Sequence, residues 1–332
     1  MKRPLAGAAS LALIVTFTVT AAAVAVPASA QQVDAAYPSR PIRVIVPIAP
    51  GGGVDTMARA LAPLLTHRLR QPIVVDNRAG GGGSVGAELT AQAAPDGHTL
   101  MLTSSSFVLH GLLYRTRYDA IRDFAPVTQL VQHPYVLLTG AAVPASGARE
   151  FIEWAKTAKG GVNYASSGNG SLIHLTGELF NSVTGLSMVH VPYKGLAQAY
   201  PDMFSGQVHA TFGSILSSLP HISAGRLKAL GVTSLKRTAR LPDVPTLDEA
   251  GVARFDVTQW YGVFAPARTP VARIARLQSE IAATLTAPDT AKRIAAEGSL
   301  AVGNTSDEFR QMIAAESAKW RALIQKAGIR AE

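Results

Sequence analysis

A chain of 332 residues that is 48% hydrophobic has material for one large or two ordinary domains with real cores, which places it among globular proteins. Its formal charge of +9 is spread thinly, with no run of Lys or Arg longer than a pair such as Lys236-Arg237 and no basic stripe interleaved with aromatics; this argues against nucleic acid as a partner and leaves a diffuse field suited to small anions. The absence of cysteine excludes disulfides, a thiolate nucleophile, Cys-ligated zinc and a lipid-modified N-terminal cysteine.

Residues 1–30 read as a signal peptide. Lys2-Arg3 is the charged start, residues 11–26 are apolar but too short for a comfortable membrane span, and Ala28-Ser29-Ala30 offers small residues for cleavage after Ala30. The 31 basic residues less Lys2 and Arg3 leave 29 against 22 acidic ones, a net charge of +7 for an exported, periplasmic chain. No later segment is apolar for long enough to span a bilayer, so any membrane role runs through a partner.

Ile42, Val44, Ile45 and Val46 predict a buried strand, followed by a bare loop, Pro50-Gly51-Gly52-Gly53, and a helix over 55–69 with Met57, Leu61, Leu64, Leu65 and Leu69 at helical spacing. Such a helix start presents unpaired N–H groups and the positive end of a dipole, which suits an anion. The device recurs. Residues 72–76 predict a second strand, residues 77–83 a second glycine loop, and Ser84 the cap of a helix to residue 94; residues 99–103 predict a third strand that runs into Ser104-Ser105-Ser106. Strands alternating with helices at this spacing argue a largely parallel α/β sheet with its loops gathered at the strands' C-terminal ends.

Residues 124–140 look extended, with His133-Pro134 interrupting, and the crossing between domains is expected near Leu130. A helix over 149–159 and a strand over 162–165 precede a third loop, Ser166-Ser167-Gly168-Asn169-Gly170-Ser171, and a helix over 171–183. Strands are expected at 187–192, 207–212, 226–232 and 255–264, and Tyr193-Lys194-Gly195 forms a short loop before a further helix. The remainder is helical at 271–285, 290–297 and 306–327, with Thr305 or Ser306 and Glu308 as a start signal and Gly328 as a stop.

These residues resemble a known family. Tyr37-Pro38-Ser39-Arg40-Pro41-Ile42, the loop from Pro47 to Asp55, Asp76-Asn77-Arg78 with its glycines, Ala94-Pro95-Asp96-Gly97 and Asp123-Phe124-Ala125-Pro126-Val127 are similar to the Bug-type substrate receptors of tripartite tricarboxylate transporters. So are Gly168-Asn169-Gly170-Ser171, the run from Val189 to Gly195, Leu241-Pro242-Asp243-Val244-Pro245-Thr246 and Trp260-Tyr261-Gly262, in order over residues 37–328. The resemblance implies an α/β, type II periplasmic-binding-protein architecture whose two lobes, residues 31–130 with 256–332 and residues 131–255, close on a small carboxylate and deliver it to a membrane permease. It implies a monomer without cofactor or metal. Ligand contacts carried over by motif are Pro50, Gly51, Gly52, Gly53, Val54 and Asp55, then Ser104, Ser105 and Ser106, then Ser166, Ser167, Gly168, Gly170 and Ser171 with His174 one turn on, and Tyr193, Lys194 and Gly195. Two positions depart from the family: Ile48 replaces a frequent Phe, and Phe212-Gly213-Ser214 stands where many members have an acid. Without that acid a ligand ammonium lacks a partner, which favours an organic or aromatic acid over an amino acid.

Several of these residues have plainer readings. Gly51 to Gly53 also suits an ordinary βα turn, Lys194 a solvated lysine, and His174 a capping histidine; Asp55 reads as a helix cap or loop strut, because a second negative charge beside an anion repels it. Trp260 and Tyr261 serve equally as cleft wall or core. Gly81, Gly83 and Gly86 match a dinucleotide fingerprint, but they follow the second strand and no acid ends a strand about twenty residues later. Gly82-Gly83-Ser84-Val85-Gly86 matches a hydrolase elbow, making an exported serine hydrolase using Ser84 the rival function, although seven residues separate Asp76 from Ser84 where an elbow turns directly off its strand. The eight histidines form no close pair of metal-ligating spacing.

Overall fold

The β-branched run Ile42–Val46 is strand β1, buried between two parallel neighbours. Helix α1 (Gly53–Leu69) crosses to β2 (Ile73–Asn77), and α2 (Ser84–Ala91) leads to β3 (Thr99–Ser104) and α3 (Ser106–Leu113). The computed structural model describes residue 1 and residues 37–296 and 298–329; the signal peptide and its cleavage after Ala30 lie outside the described residues, Met1 apart.

Strand β4 (Phe124–Gly140) is 17 residues long and serves two sheets. After it come α4 (Ala148–Thr157), β5 (Asn163–Ser166), α5 (Leu172–Thr184), β6 (Val189–Pro192), α6 (Tyr200–Ser205), β7 (Ala210–Ser214), α7 (Ile215–Ser223) and β8 (Leu227–Val232). The chain then returns through β9 (Thr258–Pro266) to α8 (Val271–Leu285), α9 (Pro288–Ala296), the short β10 (Leu300–Ala301) and α10 (Ser306–Ala327). The strand order is β2-β1-β3-β9-β4-β7-β5-β6, with β8 and β10 also on β4. From Phe124 to Pro134, β4 pairs antiparallel with β9; from Tyr135 onward it pairs with β7 and β8. The result is a two-lobed α/β protein whose sheets are parallel at their outer strands and antiparallel around β4 and β9. Both lobes fall in one unit, Asp34–Glu332.

The change of sheet falls between Pro134 and Tyr135, where a buried hydroxyl holds the crossing segments together. Thr233 Oγ1 accepts from Tyr135 N at 2.9 Å and donates to Val257 O at 2.6 Å. Two helices, α3 and α7, stand where no helix is expected from sequence. α3 starts in a serine run and spans only 8 residues. α7 contains Pro220 and the weak helix formers Ser217 and Ser218, and Ser218 Oγ bonds back to Ser214 O at 2.7 Å; both features lower helix propensity, and packing outweighs them.

α10 begins with a capping box between Thr305 and Glu308 and ends at Gly328, the stop signals read from sequence. Its first half buries Phe309 and Ile313 against Trp260 and Phe264 of β9, and its second half buries Trp320 and Leu323 in the core built on Phe151, Phe180 and Phe255. Between them the half-buried Glu316 carboxylate accepts from both indoles, Trp260 Nε1 at 2.5 Å and Trp320 Nε1 at 3.0 Å. One helix thus straps across two hydrophobic cores. Trp320→Ala empties a fully buried site and leaves Glu316 short of a donor, so we expect a loss of about 3–5 kcal/mol, or roughly 10 °C in Tm. A change of only a degree or two in calorimetry would show that this end of α10 contributes little to the second core.

Candidate functional site

The loop between β1 and α1 is held from below by a buried acid. Asp55, 3% exposed, accepts from Gly51 N at 2.9 Å, from Arg59 Nε at 3.0 Å and from Asn77 Nδ2 at 2.9 Å, and Asn77 also donates to Ile48 O. The Gly51 amide above all, with Arg59 and Asn77, keeps the Asp55 carboxyl below its ordinary range against the opposing effect of burial. Asp55 is therefore the strut of the loop and does not cap the helix. The N-cap of α1 is Gly52, which carries no side-chain cap. The first-turn amides of α1 stay open.

Those amides open on a cavity of about 310 Å³ lined from both lobes. Gly51, Gly53, Thr56 and Met57 come from the α1 end, His133, Pro134 and Tyr261 from the crossing strands, and Ser214, Ile215 and Leu216 from the start of α7. Ser214 is the N-cap of α7 and again makes no side-chain cap bond. Two uncapped helix N-termini, one from each lobe, thus meet in one cavity, and the lining residues include no Asp, Glu, Lys or Arg. His133 adds no charge near neutrality, because burial pushes its imidazole down despite a hydrogen bond to Gln259. Trp260 and Tyr261 divide the two roles open to them from sequence, since Trp260 is core and Tyr261 is wall. A Cβ at Gly53 would collide with the Tyr261 hydroxyl, so the close approach at that position requires glycine.

The other expected residues gather in a second cluster in the second lobe. Ser166, fully buried, lies 2.6 Å from His190 Nε2 and accepts from Gly168 N at 3.0 Å; Gly170 N donates to His174 Nδ1 at 3.0 Å; and Ser171 caps α5 by accepting from His174 N. The rings of His174 and His190 stack at 3.8 Å. This loop spends its polar groups on itself, and α5, unlike α1 and α7, is capped by a side chain. Gly170 also sits against the end of α3, where an added Cβ would lie 2.6 Å from Leu113 Cδ1. Tyr193 donates to Asp202 at 2.5 Å, beside the half-buried Gly195, and Ser167 and Lys194 are exposed.

Of the remaining expected residues, Pro50 is exposed and Val54 is buried in the core beneath β1. Ser104 ends β3 opposite Tyr261, Ser105 is buried with its hydroxyl unpartnered, and Ser106 is exposed. Ser84 is the first residue of α2 and not its cap, because the left-handed Gly83 takes that place, and among the described residues no histidine is hydrogen-bonded to its hydroxyl. Among the described residues no group of three His, Asp or Glu is arranged to hold a metal ion. Sequence reasoning passes over Thr56, Met57, His133, Pro134, Gly298 and Ser299 as contacts, and also Ser214 to Leu216. For the last three the signal is present, since Phe212-Gly213-Ser214 is one more strand end before a helix and one of the two departures from the family.

Residues 57–329 match the family profile described as "Tripartite tricarboxylate transporter family receptor". The protein BugT of Bordetella pertussis is 38% identical over 321 residues, covering 96% of this chain and 97% of its own length. Among solved structures, an R. palustris protein with adipate is 32% identical with a TM-score of 0.75, covering 89% of this chain and 99% of that one. MatC from Rhodopseudomonas palustris with bound malate is 31% identical with a TM-score of 0.72, covering 87% and 100%. The chain belongs to the tripartite tricarboxylate transporter receptor family, the Bug-type periplasmic solute receptors.

The stacked histidines make the second-lobe loop sensitive to acid. Burial pushes the His190 imidazole down to about 4, with His174 adding to the effect, and burial lowers His174 while Glu178 opposes. An unfolded chain takes up these protons near 6.5, whereas folded His190 resists them until about 4. Stability therefore falls as pH drops through that window. Melting curves from neutral pH down to about pH 4 should show this loss, made shallower by His190→Gln; equal slopes for the two proteins would remove the pair from the account.

Proposed function

We propose that this member of the tripartite tricarboxylate transporter receptor family binds a small carboxylate-containing solute, an organic or aromatic acid in preference to an amino acid. It hands the ligand to a tripartite tricarboxylate-type membrane permease. It works in the periplasm as a monomer without enzymatic activity, after removal of the signal peptide behind Ala30. The observation that carries this reading is the meeting of the uncapped N-termini of α1 and α7, one from each lobe, in a cavity whose described lining holds no charged side chain. Amides preorganised at a helix start bind a carboxylate without the cost of burying a lysine or arginine, and charge-assisted bonds of this kind contribute roughly 1.5–3 kcal/mol each. An ammonium group finds no carboxylate there, since Asp55 is already satisfied by Gly51, Arg59 and Asn77.

Closure brings the two lobes, residues 31–130 with 256–332 and residues 131–255, onto the ligand about the crossing segments at Tyr135 and Val257. Residues of the second cluster, Ser166, Ser167, Gly168, Gly170, Ser171, His174, Tyr193, Lys194 and Gly195, belong to the second face of the closing cleft, and Ser104, Ser105 and Ser106 to the first. The ligand drives closure only by the margin with which the closed form binds it better. The adipate and malate held by the two R. palustris relatives support the ligand class. The rival, an exported hydrolase using Ser84, is less well supported, since among the described residues no histidine is hydrogen-bonded to that serine.

A thermal-shift panel of mono-, di- and tricarboxylates, aromatic acids and amino acids tests the reading. A true ligand at a hundredfold over its Kd should add about 2.7 kcal/mol, or several degrees at roughly 2–4 °C per kcal/mol. Gly53→Val should abolish the shift with a native far-ultraviolet spectrum. No shift from any carboxylate, together with Ser84-dependent ester cleavage, would reverse the assignment.

A further inference from the structure

Beside the cavity at the helix starts lies a second of about 340 Å³, and the two share Pro134, Gly298 and Ser299. Its outer wall is the segment 234–240 that follows β8, which contributes Lys236, Arg237 and Arg240. Arg237 is already matched by Glu249 at 2.8 Å. Lys236 and Arg240 have no ion-pair partner among the described residues. Arg240 stands at the border of the two cavities: a Cβ built on Gly298, which lines both, would lie 3.6 Å from Arg240 Cγ. Leu235 and Leu300, 55% and 57% exposed, line the same space with Pro134 and Ala295. The acid in this cavity, Asp256, has Lys319 beside it, which donates to its backbone carbonyl.

We infer that the two cavities form one channel, in which Arg240, supported by Lys236, receives a second anionic group carried at the far end of an apolar spacer. The inference rests on the carboxylate-receptor reading and narrows it, because the ligand class becomes an elongated diacid, aliphatic or aromatic. The first carboxylate takes the amides of α1 and α7. The spacer covers Leu235, Leu300 and Pro134, which explains why large apolar side chains stand exposed in a polar rim. The distal carboxylate meets a planar guanidinium able to hold both its oxygens, and Asp256 repels it from the far wall. A monoacid fills only the first part of such a channel, and a diacid gains the Arg240 contact only when its spacer spans both cavities.

Calorimetric titration of the purified receptor tests this with succinate, adipate and suberate, with hexanoate and octanoate as matched monoacids, and with terephthalate against benzoate. Adipate, suberate or terephthalate should bind about tenfold or more tightly than its monoacid and than succinate. Arg240→Ala should reduce that diacid preference about tenfold, Lys236→Ala should reduce it less, and Arg240→Lys should restore part of it. Affinities independent of spacer length, or a diacid preference unchanged in Arg240→Ala, would overturn the channel; if Gly53→Val still abolished binding, the receptor reading would survive. Absence of binding by every acid in wild type would overturn both.

Discussion

A single strand that belongs to two sheets is the constraint on which the molecule depends. Every backbone group in the interior must find a partner, and β4 meets that demand by pairing with β9 up to Pro134 and with β7 and β8 from Tyr135 on. The lobes therefore cannot separate without breaking ladder bonds, and they can rotate only where the ladders change hands. Thr233 closes that point by tying Tyr135 to Val257 through one hydroxyl. The cleft lies where it does because the strand ends of both lobes open toward this seam, which brings the starts of α1 and α7 onto one cavity.

The cavity obtains its positive character from backbone and not from side chains. Asp55 is the only acid in the loop above it, and its carboxylate is consumed by Gly51, Arg59 and Asn77. Glycine at 52 and 53 leaves the helix start bare. This is a low-entropy design, since amides fixed by a helix need no ordering when an anion arrives. By contrast the α5 loop, whose sequence looks just as suitable, is capped by Ser171 and closed by the His174–His190 stack.

α10 limits how independent the lobes are. Its two halves lie in different cores, and the Glu316 carboxylate between Trp260 and Trp320 joins the helix to the crossing strand β9. Burial raises the Glu316 carboxyl while the two indole donors oppose that shift. Such a strap favours small rotations over wide opening.

Much of this was legible in the chain itself. Apolar periodicity located β1, α1, β2, β3, α8 and α10; Thr305, Glu308 and Gly328 marked the ends of α10; and Pro50 to Asp55 announced a bare helix start, because these are local signals with a backbone cause. Others were invisible. The serine run before α3 and Pro220 in α7 argue against helix, and only packing reverses them. Ser166 to Ser171 and Gly51 to Gly53 are alike in composition, yet one is sealed by histidines 190 and 174, the first of which arrives from another strand, while the other stays open. Sequence alone determined most of the strands and helices, α3 and α7 excepted, and the anion-friendly chemistry of the loops. Which loop starts remain uncapped, and that Ser214 of α7 stands across a cavity from Gly53 of α1, was decided by the tertiary structure, because capping and convergence depend on partners brought together from distant parts of the chain.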